Sequence, residues 1–203
     1  MAAGKIDVSD LKIITPVGIA CFVHVFEPHA FEGGESNFSL ILCFPEGTDL
    51  TELKETCKKG ALRKFGDMEV LKRMSKAGKL RMPWRDGSEY ADYGDPFVPG
   101  ATFITLKSRK SPGIVGPNAK PLMDQADFYG GCKARASCVV WPYDSMGNQG
   151  CSLLLNNVQK TADGTKLSGI ANAEDEFDAV VPVKTAAGKT ASLGSFEDDD
   201  VPF

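Results

Sequence analysis

The chain contains no run of about 20 apolar residues, the length a membrane-crossing helix needs. Its first residues, Met1-Ala2-Ala3-Gly4-Lys5-Ile6-Asp7, lack the apolar core of a secretion signal. Both absences predict a cytoplasmic protein with no membrane contact. Histidine is scarce: only His24 and His29 occur, both near the N-terminus. With no Gly-x-Ser-x-Gly either, the sequence offers no nucleophile–base set, and no catalytic residue is predicted. No Cys-x-x-Cys pair occurs among Cys21, Cys43, Cys57, Cys132, Cys138 and Cys151. A chain of this size buries a core without disulfide staples, so these cysteines are expected to be small buried hydrophobes. The nearest approach to a metal set is Cys21, His24 and His29. In a strand, Cys21 and His24 point to opposite faces, so neither a metal site nor a cofactor is expected.

Two fragments imitate chemistry. Gly188-Lys189-Thr190 resembles the end of a phosphate-binding loop, but Val183 stands where that loop needs glycine. Asp86, Glu89, Asp92 and Asp95 form a carboxylate cluster that could bind a divalent ion for nuclease chemistry. Their spacing is not that of a calcium loop, and a solvated loop is the competing reading.

What is present is an ordinary globular composition, 42% apolar and 25% charged over 203 residues, with an uneven charge distribution. Residues 1–53 sum to −6, residues 54–135 to +8, and residues 172–203 to −6, within a net charge of −4. A basic middle and an acidic tail suit a nucleic-acid binder that regulates itself or recruits partners.

Hydrophobic patterning predicts an interrupted strand over 11–26, broken at Pro16 and Gly18, and a second strand over 38–44 that pairs with it. Asp49 and Glu52 form a capping-box pattern. Leu50, Leu53, Cys57, Ala61 and Phe65 follow at helical spacing up to Gly66, and a shorter helix spans 67–77. Residues 79–99 read as irregular, 100–108 as a third strand, 109–121 as a loop, and 132–141 and 150–158 as a second hairpin turning at 144–147. Beyond about residue 167 periodicity fades into an Ala, Gly, Ser, Thr and acid-rich stretch, read as a disordered tail. The predicted fold class is mainly β: a five-stranded Greek-key barrel of the oligonucleotide-binding type with a helical insertion, over residues 1–170. Residues 171–203 form the tail. Strand count alone leaves a sandwich open.

Alternation within the strands locates the candidate site. Phe103, Thr105 and Lys107 share one face of the third strand, extended by Arg109 and followed by Lys110. Lys133, Arg135, Ser137, Val139 and Trp141 share one face of the fourth. Cations track phosphates and flat rings stack on bases, so such a face suits single-stranded nucleic acid. Arg81, Trp84 and Arg85 add cations and a ring on a nearby loop. The competing reading makes Phe103, Trp84 and Trp141 packing residues.

The chain ends Asp198-Asp199-Asp200-Val201-Pro202-Phe203. An acidic run closed by an apolar anchor bearing the terminal carboxylate reads as a partner-binding tip. It resembles the tip of bacterial single-stranded-DNA-binding proteins, with Val201 in place of isoleucine. The body is similar instead to the Enc34-like family of phage single-stranded-DNA-binding proteins. The likeness lies in Leu50 of Gly47-Thr48-Asp49-Leu50, in Trp84-Arg85-Asp86-Gly87, and in Phe128-Tyr129-Gly130-Gly131-Cys132. It continues in Arg135-Ala136-Ser137 and in Leu155-Asn156-Asn157-Val158-Gln159-Lys160. The resemblance implies an oligonucleotide-binding fold and a non-enzymatic role coating DNA during phage replication and recombination. The tip would recruit replication or recombination proteins, and homo-oligomerisation is compatible with that role. The rival readings are a strand-annealing protein, a metal-dependent nuclease using the Asp86–Asp95 loop, and a protein-binding adaptor.

Overall fold

The computed structural model describes residues 8–30, 34–145 and 147–167. Nine strands share one hydrogen-bonded sheet: β1 (Lys12–Ile14), β2 (Gly18–His29), β3 (Asn37–Phe44), β4 (Leu80–Arg81), β5 (Trp84–Asp86), β6 (Thr102–Ser108), β7 (Gly113–Val115), β8 (Lys133–Ser145) and β9 (Asn148–Ala162). Two helices, α1 (Thr51–Phe65) and α2 (Met68–Lys76), stand between β3 and β4. β2 pairs with β3 and β3 with β6, both antiparallel; β6 then pairs parallel with β9. β9 pairs antiparallel with β8, which pairs with β2. This is a mixed sheet with a helical insertion.

The long elements follow from patterning. On β3, Leu40, Leu42 and Phe44 alternate into the main core; on β6, Ile104 and Leu106 do so; on β8, Ala134, Ala136, Cys138 and Val140 do so. α1 lays Leu53, Cys57, Gly60 and Ala61 against this core. Gly60 is the closest approach: a Cβ there would stand 3.1 Å from Val140 Cγ1. Asp67 caps α2, its Oδ1 accepting from the Val70 amide at 2.9 Å.

The predicted capping box does not form. α1 starts one residue later, after Leu50, and Asp49 accepts instead from the Thr51 amide at 2.9 Å, an Asx turn leading into the helix. The two segments read as loop contain strands. β4 and β5 lie within 79–99, ahead of a 3₁₀ segment over Gly87–Tyr93, and β7 lies within 109–121. All three are too short to show a period and are held by pairing: β4 and β7 with β9, β5 with β6. Gly150 admits β4, since any side chain there would collide with the Arg81 carbonyl.

Candidate nucleic-acid interface

Register places the outward residues of β2, β3 and β6 in rows running across the strands, because paired residues share a face. One row reads Lys133, Ile19, Cys43, Phe103, Arg85. The next reads Cys21, Ile41, Thr105, and a third reads His24, Ser39, Lys107, Leu154, Val139, Lys12. An apolar centre is thus flanked by Lys133 and Arg85 in its own row, with Lys107 four residues beyond Phe103 along β6.

That centre is covered, which corrects the reading of Phe103 as an open stacking platform. Phe103 is 1% exposed. Tyr90 of the 3₁₀ segment lies 4.7 Å from its ring centroid, and Phe97 meets it edge-on at 5.7 Å. Beside that covered centre, two rings that patterning did not single out are exposed. Phe22 sits in a β2 bulge, where the register shifts between Cys21 and His24 and its φ is +46°. Its ring is 41% exposed and meets Tyr93, 62% exposed, edge-on at 5.1 Å. Both rest on Phe97. Aromatic edge-to-face pairs of this kind hold one another's orientation. A tyrosine at the end of Tyr90-Ala91-Asp92-Tyr93 was a usable signal. Nothing in the local sequence marks the bulge that exposes Phe22.

The other predicted residues scatter. Trp84 pairs with Ile104, so it stands on the main-core side of the sheet, half-buried, and not in the outward rows. Trp141 is 39% exposed on β8, on the same side of the strand as Val139, and its register partner is Ser152 of β9, outside the rows that β2, β3 and β6 build. Arg81 lies on the far edge strand β4. Arg135 is exposed, and its Nε donates to Gln159 at 2.9 Å. Arg85 holds Glu89 at 3.1 Å and Arg109 holds Glu35 at 2.7 Å, both exposed pairs. Exposed pairs contribute about 0–1 kcal/mol, so phosphates can displace these carboxylates. Lys107, Lys110 and Lys133 are exposed. Asp198, Asp199, Asp200, Val201, Pro202 and Phe203 lie outside the described residues.

The chemistry of the face is that of binding. Burial pushes the Cys21 thiol up to about 12 and that of Cys43 to about 11, so both stay protonated and apolar near neutrality. Asp86 accepts from the Ser88 amide at 2.9 Å and Glu89 is held by Arg85. Among the described residues no three His, Cys, Asp or Glu side chains are grouped to hold a metal ion.

His24 and His29 stack, with ring centroids 4.5 Å apart. Partial burial, then the neighbouring His29, holds His24 below the usual imidazole range, so it is neutral at pH 7. The groups facing it are His29 on its own strand, Ser39 on β3, and Lys107 one strand further. Protonation adds a cation to this row. Affinity for a polyanion should therefore rise as pH falls from 7 to 5, and His24→Gln should reduce that rise in a binding titration.

A sheet that carries cations and exposed rings on one face, with its helices set aside in one insertion, belongs to the class of nucleic-acid-binding β-domains. The model of the family described as Enterobacter phage Enc34, ssDNA-binding protein matches residues 11–188, and the chain belongs to that family. Among solved structures it is similar to the single-stranded DNA-binding protein from bacteriophage Enc34 in complex with ssDNA. The TM-score is 0.63 at 18% identity, over 79% of this chain and 91% of that one. It is also similar to gp2.5, the single-stranded DNA-binding protein encoded by bacteriophage T7, with a TM-score of 0.56 at 14% identity, over 83% and 98%. Among curated proteins no relative matches.

Proposed function

We propose that this protein binds single-stranded DNA with little sequence preference, coating and protecting it during phage replication and recombination in the bacterial host cytoplasm. The observation that carries the reading is the face on which Lys107, Lys133 and Arg85 share rows with the apolar patch of Cys43 and Phe103, whose neighbour Phe97 carries the exposed rings of Phe22 and Tyr93. Membership in a family described by ssDNA binding supports it, as does likeness to a relative described in complex with ssDNA. The five mutually paired strands β8, β2, β3, β6 and β9 are read as a closed oligonucleotide-binding barrel, spanning roughly the first 170 residues. Lys110, Arg109 and Arg135 extend the cationic surface. Residues 171–203 act as an acidic tail that competes with DNA for this surface, and its tip, Asp198 to Phe203, captures replication or recombination proteins.

The test is an anisotropy titration of labelled oligo-dT with the full chain and with a chain lacking residues 197–203, at several salt concentrations. Log K should fall with log salt by about 0.7 per phosphate contact. The shortened chain should bind more tightly, most at low salt, where the tail's charge is least screened. A slope near zero would remove the electrostatic surface. Equal affinity of both chains at every salt would remove the competing tail.

A further inference from the structure

Beside the β2 bulge lies a hollow of about 400 Å³. Phe22, Tyr93, Phe97 and Tyr129 contribute rings to its lining, and Asp95 and Gln125 contribute polar side chains. Tyr129 is a fixed wall: its hydroxyl donates to Asp163 Oδ1 at 3.0 Å and accepts from the Gly164 amide at 3.3 Å. Among the described residues, neither the Asp95 carboxylate nor the Gln125 side-chain amide has a hydrogen-bond or ion-pair partner. None of the lining residues is lysine or arginine.

That inventory selects the ligand. A phosphate is disfavoured, because the lining offers it a carboxylate, and the nearest cations, Lys160 and Lys166, lie against the Tyr129 ring and are not part of the lining. What fits is a flat apolar body that brings N–H donors on its edge. We propose that the hollow takes one unstacked base of the bound strand, with its ring against Phe22 and Tyr93 and its edge against Asp95 and Gln125. It favours bases with an exocyclic amino group over thymine. This rests on the single-stranded-DNA reading and adds a base preference to it. A carboxylate only accepts. At the same ring position cytosine carries an amino group with two N–H donors, where thymine carries a carbonyl oxygen and keeps only its ring N3–H to offer a carboxylate. Each copy samples one base at this place while the rest of the strand is held by charge and stacking, so the preference grades affinity without dictating a sequence.

The experiment compares oligo-dC with oligo-dT of equal length on the full-length protein. Both are pyrimidine strands of the same charge, and the change in the ratio of the two affinities between wild type and variant reports the hollow. Oligo-dC should bind about fivefold more tightly. Asp95→Ala removes a negative charge and should strengthen binding to both oligomers while bringing their ratio to about one. Asp95→Asn, which keeps the size of the side chain and can turn a donor toward thymine, should also flatten the ratio. Gln125→Ala should reduce it. A loss of fold would show in a thermal melt and would weaken both oligomers together, leaving the ratio intact. A wild-type ratio of one, or a dC preference that survives both Asp95 variants, overturns the base hollow while the single-stranded-DNA reading stands. Failure of the wild-type chain to bind either oligomer at low salt overturns both.

Discussion

Phe103→Ala is expected to destabilise the fold far more than it weakens stacking. The side chain is 1% exposed and packs with Phe97 and Tyr90 over Ile41 and Cys43. Truncating a buried phenylalanine costs about 3–5 kcal/mol, because the lost transfer energy is compounded by a cavity that neighbours fill only in part. A domain with stability of the usual order, about 5–15 kcal/mol, would lose a large share of it. The measurement is the chemical denaturation midpoint, read beside DNA affinity in the folded range. Tyr93→Ala makes the contrast. At 62% exposure it should change stability by no more than about 0.5 kcal/mol. Binding should weaken by about 1–3 kcal/mol if one base stacks on its ring. A Phe103→Ala protein with an unchanged midpoint and lost DNA binding would return that ring to the binding surface.

The contrast between these two residues marks what was legible in the sequence. Alternation along β6 put Ile104 and Leu106 on one face and Phe103, Thr105 and Lys107 on the other, and the structure agrees. It could not say what lies above the second face. The cover comes from Tyr90 and Phe97, in a segment with no period, whose rings meet Phe103 only through the tertiary fold. β8 was legible throughout, from exposed Lys133 to Trp141, because one side is continuously buried and the hydrophobic set fixes which way each residue points. The bulge at Phe22 was not. A bulge adds a residue to one strand and is set by pairing with the other, so β2 read alone continues its pattern straight through. The side on which Trp84 stands was hidden for a related reason. As a loop residue it had no face, and only its pairing with Ile104 turns it to the core.

The other large effect is expected from reversing charge at Lys107 and Lys133 together. The two lysines stand in different rows of the same face, and among the described residues neither has an ion-pair partner. Arg85 and Arg109, by contrast, must first give up Glu89 and Glu35. Lys107→Glu with Lys133→Glu should weaken oligo-dT binding more than tenfold at low salt. Two lost phosphate contacts should also make the slope of log K against log salt shallower by about 1.4. Net charge alone could produce part of the first effect, so the comparison is Lys54→Glu with Lys58→Glu. These two exposed lysines are carried by α1, which packs on the main core, and not by the outward rows of β2, β3 and β6. That pair changes the protein's charge by the same amount, and diffuse repulsion is screened over about 10 Å at 0.1 M salt. If both double variants lose the same affinity and keep the wild-type slope, DNA follows overall charge and the face does not bind it. A shallower slope for the Lys107 and Lys133 pair alone places the phosphates across β6 and the β2–β8 pairing, on the face that carries the outward rows.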